Sequence, residues 1–149
     1  MIYLDYAATS PLRAAAREAM LPFLDGRFGN PSGLYAIGRD AQAAVDSARQ
    51  TVAECLGARP TEILFTSGGT ESINAATLGI AYAMRRAGAG NHIITTAIEH
   101  HAGIHVAQQL EELGFEVTTI GCDGSGRINI PEFTRALRPG TVLASVQLS

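Results

Sequence analysis

The chain has 149 residues, of which 46% are hydrophobic and 17% are charged. This length and composition suit a globular domain with a sizeable core. The formal net charge of −3 argues against a nucleic-acid or anionic-membrane partner. No apolar run approaches the length of a membrane span, and the N-terminal residues lack a signal-peptide pattern. The cytoplasm is therefore the expected location.

Lysine is absent from the sequence, because all eleven basic residues are arginine. A lysine nucleophile, a covalent lysine–cofactor bond or a P-loop ammonium is therefore excluded for this chain by itself. The two cysteines, Cys55 and Cys122, lack the spacing of a zinc site or a disulfide framework. We expect Cys55 in the core, on the apolar side of a helix, and Cys122 in an exposed turn. Neither is a good candidate for a nucleophile.

The first sixty residues are predicted to be helical and rich in loops, forming an arm or flank. Ser10 and Pro11 are typical of a helix N-terminus, and Pro22 should end or kink that helix. Gly57 should end the second helix. The predicted elements are an extended stretch over 2–6, a helix from about 12 to 20 or 24, a loop over 27–35 and a helix over 39–56.

Strands and helices alternate from residue 61 onward. The predicted strands cover 63–66, 92–97, 115–120 and 141–148, and the predicted helices cover 70–86, 101–113 and a segment that Pro131 opens. This alternation predicts an α/β fold, with a mostly parallel sheet and helices on both faces. The last predicted strand is an apolar run at the end of the sequence. We therefore expect residues 1–149 to be the N-terminal part of a larger protein.

The segment FTSGGTES, from Phe65 to Ser72, is predicted to be a strand, a glycine turn and a helix start. Glycines let the backbone approach a ligand, and the N–H groups at a helix start favour an anion. The turn matches neither the Walker sequence, which needs a lysine, nor G-x-G-x-x-G. From spacing alone, a phosphate site and a plain strand-to-helix connection are about equally supported.

The segment AIEHHAGIH follows the second predicted strand and should lie at the same sheet edge as the glycine turn. His100 and His101 are predicted at a helix start, where the helix dipole favours a neutral ring. A neutral His100 near a phosphate turn is able to stack on a planar cofactor. His101 and His105 have the i, i+4 spacing of metal ligands. However, without a third ligand, surface or packing roles are favoured.

Read in order, these segments resemble the start of a cysteine desulfurase of the NifS/IscS type. That group belongs to the class V aminotransferase-like enzymes, which depend on pyridoxal 5′-phosphate. The resemblance runs from Ile2 to about Val146, and the number of motifs in the right order makes it specific. The matching motifs are YLDYAAT with the following proline, FGNPS, AAV with AR, EILFTSGGTES, HIIT, EH and GFEVT.

The resemblance implies roles for three residues of this chain. Gly69 and Thr70 match the residues that bind the cofactor phosphate. His100 matches the residue that stacks over the pyridine ring and assists proton transfer, so it is the expected catalytic residue. No metal site is implied. The implied fold is an incomplete large domain of the aspartate aminotransferase-like, fold type I architecture, with residues 1–60 as flank, 61–149 as β/α core, and the remainder and the small domain absent.

The resemblance also implies an activity and its partners. L-cysteine is converted to alanine while its sulfur passes to an enzyme cysteine as a persulfide. The implied partners are sulfur acceptors or Fe–S scaffold proteins, and a second copy of the chain in a homodimer. The family's cofactor lysine, persulfide cysteine and pyridinium-binding aspartate have no counterpart here. Selenocysteine lyase, another class V enzyme and a non-catalytic remnant stay open, and the chain alone is expected to be inactive and marginally folded.

Overall fold

A computed structural model describes residues 2–148. The chain divides into two compact units, with the boundary in the sequence between Leu64 and Phe65. Regular elements fill both units. They are α1 (Ala14–Leu24), α2 (Ala36–Leu56), a 3₁₀ turn (Pro60–Glu62), α3 (Gly69–Arg86), β1 (His92–Thr96), α4 (His101–Glu112), β2 (Glu116–Ile120), α5 (Ile130–Ala136) and β3 (Thr141–Ala144).

The first unit is built on α1 and α2. The start predicted for α1 at Ser10 and Pro11 is wrong, because Arg13 is still extended (φ −63°, ψ 140°) and the helix begins at Ala14. The fixed φ of a proline suits extended backbone as well as a helix, so Pro11 does not force helix entry. Pro22 lies inside α1, which ends two residues later at Leu24. Gly57 closes α2 in the left-handed conformation (φ 63°), as predicted.

The second unit contains a parallel sheet of order β2-β1-β3, as the alternating sequence pattern predicts. The expected strand over residues 63–66 is wrong: Ile63 is extended (φ −97°, ψ 125°), but this segment joins no ladder within residues 2–148. A strand exists only through hydrogen bonds to a neighbour, which a local pattern does not supply. The last strand is also shorter than predicted and ends at Ala144.

The core of the second unit lies between the sheet and the helices α3 and α4. Ile93 of β1 packs with Ala81 of α3 and with Val106 and Leu110 of α4. The last two are four residues apart, so they share one face of α4. All five residues of β1 are buried, which is typical of a central parallel strand covered on both faces.

At the amino end of β1 a buried histidine joins all three strands. His92 is 1% exposed, and its Nδ1 and Nε2 lie 2.7 Å from Thr141 Oγ1 and 2.9 Å from Thr118 Oγ1. Burial lowers the pKa of His92, the positive charge of Arg138 lowers it further, and Glu116 opposes the shift. His92 is therefore a neutral, structural histidine at this end of the sheet.

The two cysteines differ from each other in how well the sequence placed them. The prediction of a core position for Cys55 is wrong, because its side chain is exposed. Ala53, two positions earlier on α2, is fully buried, and residues two apart on a helix face in nearly opposite directions. Cys122 is exposed in a turn, as expected.

Candidate functional site

The glycine turn leads into the N-terminus of α3, whose first two residues are Gly69 and Thr70. The first N–H groups of a helix have no intrahelical acceptor. Here the first backbone N–H to bond back is that of Ser72, which donates to the Gly68 carbonyl at 3.0 Å. Gly68 has no side chain to cap the helix. The N–H groups of Gly69 and Thr70 therefore remain available at the positive end of an 18-residue helix.

The turn before α3 is held in shape by side chains on both sides of the glycines. Glu71 Oε2 accepts hydrogen bonds from the Ser67 hydroxyl and the Ser67 N–H, both at 2.6 Å. These bonds, the hydroxyl first, hold the pKa of Glu71 below its usual value. Thr66 Oγ1 lies 2.6 Å from Ser72 Oγ, so a second bond closes the turn. The glycine backbone is thus fixed before any ligand binds.

No atom of the described residues lies within 4 Å of the point where a Cβ would stand on Gly68 or Gly69. The open space lies beside backbone N–H groups at a helix N-terminus, and Thr70 contributes a hydroxyl. Backbone N–H groups, a hydroxyl and a positive helix end are the donors that a phosphate group takes. These residues fit the phosphate of the expected cofactor. The same stretch of sequence supplies no lysine for covalent attachment.

His100 is the N-cap residue of α4, as its predicted place at a helix start requires. Its Nδ1 accepts a hydrogen bond from the Ala102 N–H at 3.1 Å. A ring nitrogen that accepts carries no proton, so the ring is assigned as neutral with its proton on Nε2. The side chain is exposed. His100 therefore presents an aromatic ring that is oriented by backbone and open to a ligand.

The glycine turn and His100 lie at the same edge of the sheet, the carboxyl end of its parallel strands. The N-terminal half of α3 borders a cavity whose other wall is the end of β3 and the residue after it; its lining includes Ser72, Ile73, Ala76, Leu143, Ala144 and Ser145. Beyond β3, the Gln147 N–H donates to Glu99 Oε1 at 2.6 Å, and Glu99 directly precedes His100. Ligands of open α/β sheets bind at this edge.

The histidines that follow His100 do not build a metal centre. The rings of His101 and His105 are 6.0 Å apart between centroids. Within residues 2–148, no group of three or more His, Cys, Asp or Glu side chains is placed to hold a metal ion. Among the same residues, none of the helices combines the length and the apolar character needed to cross a bilayer.

A parallel α/β sheet with an anion turn and an aromatic residue at its carboxyl edge defines a class of cofactor-binding enzymes, and comparison with known proteins identifies the family. The chain belongs to the aminotransferase class-V family, whose model matches residues 2–149. It is 47% identical over 145 residues to the cysteine desulfurase IscS of Dictyoglomus turgidum, and 47% identical over 148 residues to that of Methanosarcina thermophila.

Solved structures agree with the sequence relatives. A NifS-like protein superposes with a TM-score of 0.90 at 33% identity, and SspA in complex with cysteine superposes with 0.87 at 37% identity. Each match covers 97% of this chain, but only 39% and 41% of the solved chains. The chain likewise spans 36% of the length of the two IscS relatives. The expected α/β, fold type I architecture is confirmed for this part of the fold.

Sequence reasoning missed how the edge is held together. The contact of Glu99 with Gln147 joins residues 48 positions apart, and nothing in the local pattern pairs them. The EH dipeptide drew attention to His100, and Glu99 was read only as part of that motif. His92 was read only as the start of a strand. The signal for its buried role was weak: a polar residue opening an otherwise apolar strand.

Proposed function

We propose that this chain supplies the phosphate-binding turn and the ring-stacking histidine of a pyridoxal-phosphate-dependent cysteine desulfurase. The observation that carries the proposal is the position of two features at one sheet edge: the free N–H groups of Gly69 and Thr70, and the exposed ring of His100. The turn binds a phosphate through N–H groups and the Thr70 hydroxyl. Ring stacking on His100 then fixes the plane of the bound cofactor.

When bound, pyridoxal phosphate supplies an electron sink that stabilises negative charge beside the substrate amino group. The part of this chain is to bind and orient it. Because the Ala102 N–H occupies Nδ1 of His100, only Nε2 is available to hold or move a proton. His100 is therefore proposed as the catalytic residue, acting through Nε2. A lysine for covalent attachment is not among residues 1–149.

The proposal includes L-cysteine as the substrate, with alanine formed and sulfur passed to a cysteine as a persulfide. The names of the relatives and the solved complex of SspA with cysteine support this substrate. A homodimer, sulfur acceptors or Fe–S scaffolds as partners, and a cytoplasmic location follow from the resemblance. Because lysine is absent, we also propose that the isolated chain binds the cofactor without turnover. Alanine and sulfide formed from L-cysteine by the purified chain would contradict this.

A titration of the isotope-labelled chain tests the binding step. Pyridoxal phosphate should shift the amide resonances of Gly69 and Thr70 and the ring resonances of His100. Pyridoxal, which lacks the phosphate, should bind at least roughly tenfold more weakly, because charge-assisted hydrogen bonds contribute about 1.5–3 kcal/mol. Equal affinity for the two compounds, or shifts confined to other residues, would show that the turn is not a phosphate site.

A further inference from the structure

The carboxylate of Glu99 connects two strand ends at the candidate site. Its Oε1 accepts a hydrogen bond from the Thr96 hydroxyl at 3.1 Å, at the end of β1. The same oxygen accepts the backbone N–H of Gln147 at 2.6 Å, in the segment that follows β3. One side-chain oxygen thus holds the chain leaving β1 and the chain leaving β3 together. Both donors belong to the carboxyl edge of the sheet, where His100 lies.

The environment of Glu99 favours a charged and ordered carboxylate. Glu99 is half-buried and lies just before α4, where the positive end of the helix dipole stabilises a negative charge. Its side chain passes close to Gly103, because a Cβ on that residue would lie 3.1 Å from Glu99 Oε2 and 3.3 Å from Glu99 Cβ. Glycine is less favourable than alanine inside a helix. The close approach of Glu99 gives Gly103 a reason to be there.

We propose that Glu99 is a positioning residue of the candidate site: it fastens the segment after β3 to the backbone that carries His100, and so sets the orientation and tautomer of the His100 ring. Glu99 and His100 are adjacent in the chain, and the bonds of Glu99 restrain the backbone between β1 and α4. That restraint keeps the His100 Nδ1 on the Ala102 N–H. The significance for a cofactor rests on the proposed function, but the restraint itself does not.

Nuclear magnetic resonance on the full labelled chain separates this role from general stability. Glu99→Ala should speed hydrogen exchange of the Gln147 amide by roughly tenfold or more, because a hydrogen bond to a charged acceptor is lost. The two ring ¹⁵N resonances of His100 should move toward each other, as both tautomers become populated. Glu99→Gln keeps an acceptor oxygen at the same position and should restore both readouts. Glu112→Ala, which removes an exposed carboxylate at the end of α4, is the matched control.

Two results would overturn the proposal. One is a Glu99→Ala chain whose Gln147 amide and His100 ring behave as in the unchanged chain. The other is faster exchange spread evenly over β1 and β3 with an unchanged His100 ring, since that pattern means that Glu99 only stabilises the sheet. If Glu99→Ala does not fold, Thr96→Val decides, because it removes one donor and leaves the carboxylate. It should move both readouts in the same direction but less, and no change would count against the proposal.

The cofactor arm keeps this proposal separate from the proposed function. Glu99→Ala should weaken pyridoxal phosphate binding several-fold, and Glu99→Gln should restore it. If the unchanged chain binds no pyridoxal phosphate, the proposed function fails. In that case the exchange of the Gln147 amide and the ring signals of His100 still decide whether Glu99 positions the edge.

Discussion

The two ends of the parallel sheet each carry a histidine, and the two histidines have opposite surroundings. At the amino end, His92 is 1% exposed and both of its ring nitrogens lie within hydrogen-bonding distance of threonine hydroxyls. At the carboxyl end, His100 is exposed and only its Nδ1 is bonded, to a backbone N–H. A ring with both nitrogens satisfied inside the protein stabilises the fold. A ring with one nitrogen left open is available for chemistry.

The same contrast extends to the charges around the two ends. Arg138 and Glu116 form an ion pair near His92, and each side chain is about half exposed (48% and 59%). The carboxyl end has Glu99 between two strand ends and the positive N-terminus of α3. An α/β sheet therefore assigns structure to one end and ligand binding to the other, as the rule for open sheets states.

The largest expected effect comes from deleting the buried ring. His92→Ala should lower the free energy of unfolding by about 3 kcal/mol, because it leaves a cavity and two threonine hydroxyls without a partner. His100→Ala should cost only about 1 kcal/mol, the usual value for a lost helix cap. Urea unfolding of the two variants measures the difference. Equal losses would show that the two ends do not differ as described.

The next effect concerns the ligand rather than the fold. Thr70→Val should weaken binding of pyridoxal phosphate by roughly tenfold, since one hydrogen bond to a charged group is lost. The free energy of unfolding should stay within about 0.5 kcal/mol of the original value, as for most exposed sites. Thr134→Val, at an exposed helical threonine of α5, is the control and should change neither quantity.

Acid should act on the amino end of the sheet, with a smaller effect than deletion of the ring. The pKa of His92 lies below its model value of 6.5 in the folded chain. Above pH 6.5 the ring is neutral in both states, so the full stability is present. As the pH falls below 6.5 the unfolded chain binds the proton first, and stability decreases until the pH reaches the folded pKa.

Unfolding curves at about pH 7.5 and pH 5 measure this loss. The other titrating groups are shared with His92→Ala, so the difference between the two chains isolates the contribution of His92. The variant should show a flatter dependence on pH over this interval. A dependence of the same steepness in both chains would contradict the assignment of a neutral, buried ring.

The smallest effect is expected from the ion pair near His92. The charge of Arg138 helps to lower the pKa of His92, whereas Glu116 opposes that shift. Arg138→Gln should therefore reduce the loss of stability in acid, and Glu116→Gln should increase it. Either change at neutral pH should cost less than about 1 kcal/mol, because both side chains are largely exposed. Shifts of the same sign in both variants would contradict this account.

Local features of the fold were predictable from the sequence. The stop of α2 at Gly57, the extent of α3, and the alternation that gives a parallel sheet are written in glycines and in apolar spacing. The start of α1 was not predictable from Pro11, and the segment over residues 63–66 reads as a strand but has no partner within residues 2–148. Propensity describes one segment, whereas a strand needs two.

The sequence by itself determined the class of the fold, the anion-binding character of the turn at Gly69 and Thr70, and the family. These depend on backbone torsion, helix ends and the order of motifs, all of which are local. Only the tertiary structure decided that His92 is a buried link between strands while His100 is open, and that Glu99 binds the chain at Gln147. Those bonds join residues up to 49 positions apart, and only the packing of parallel strands brings such partners within 3 Å.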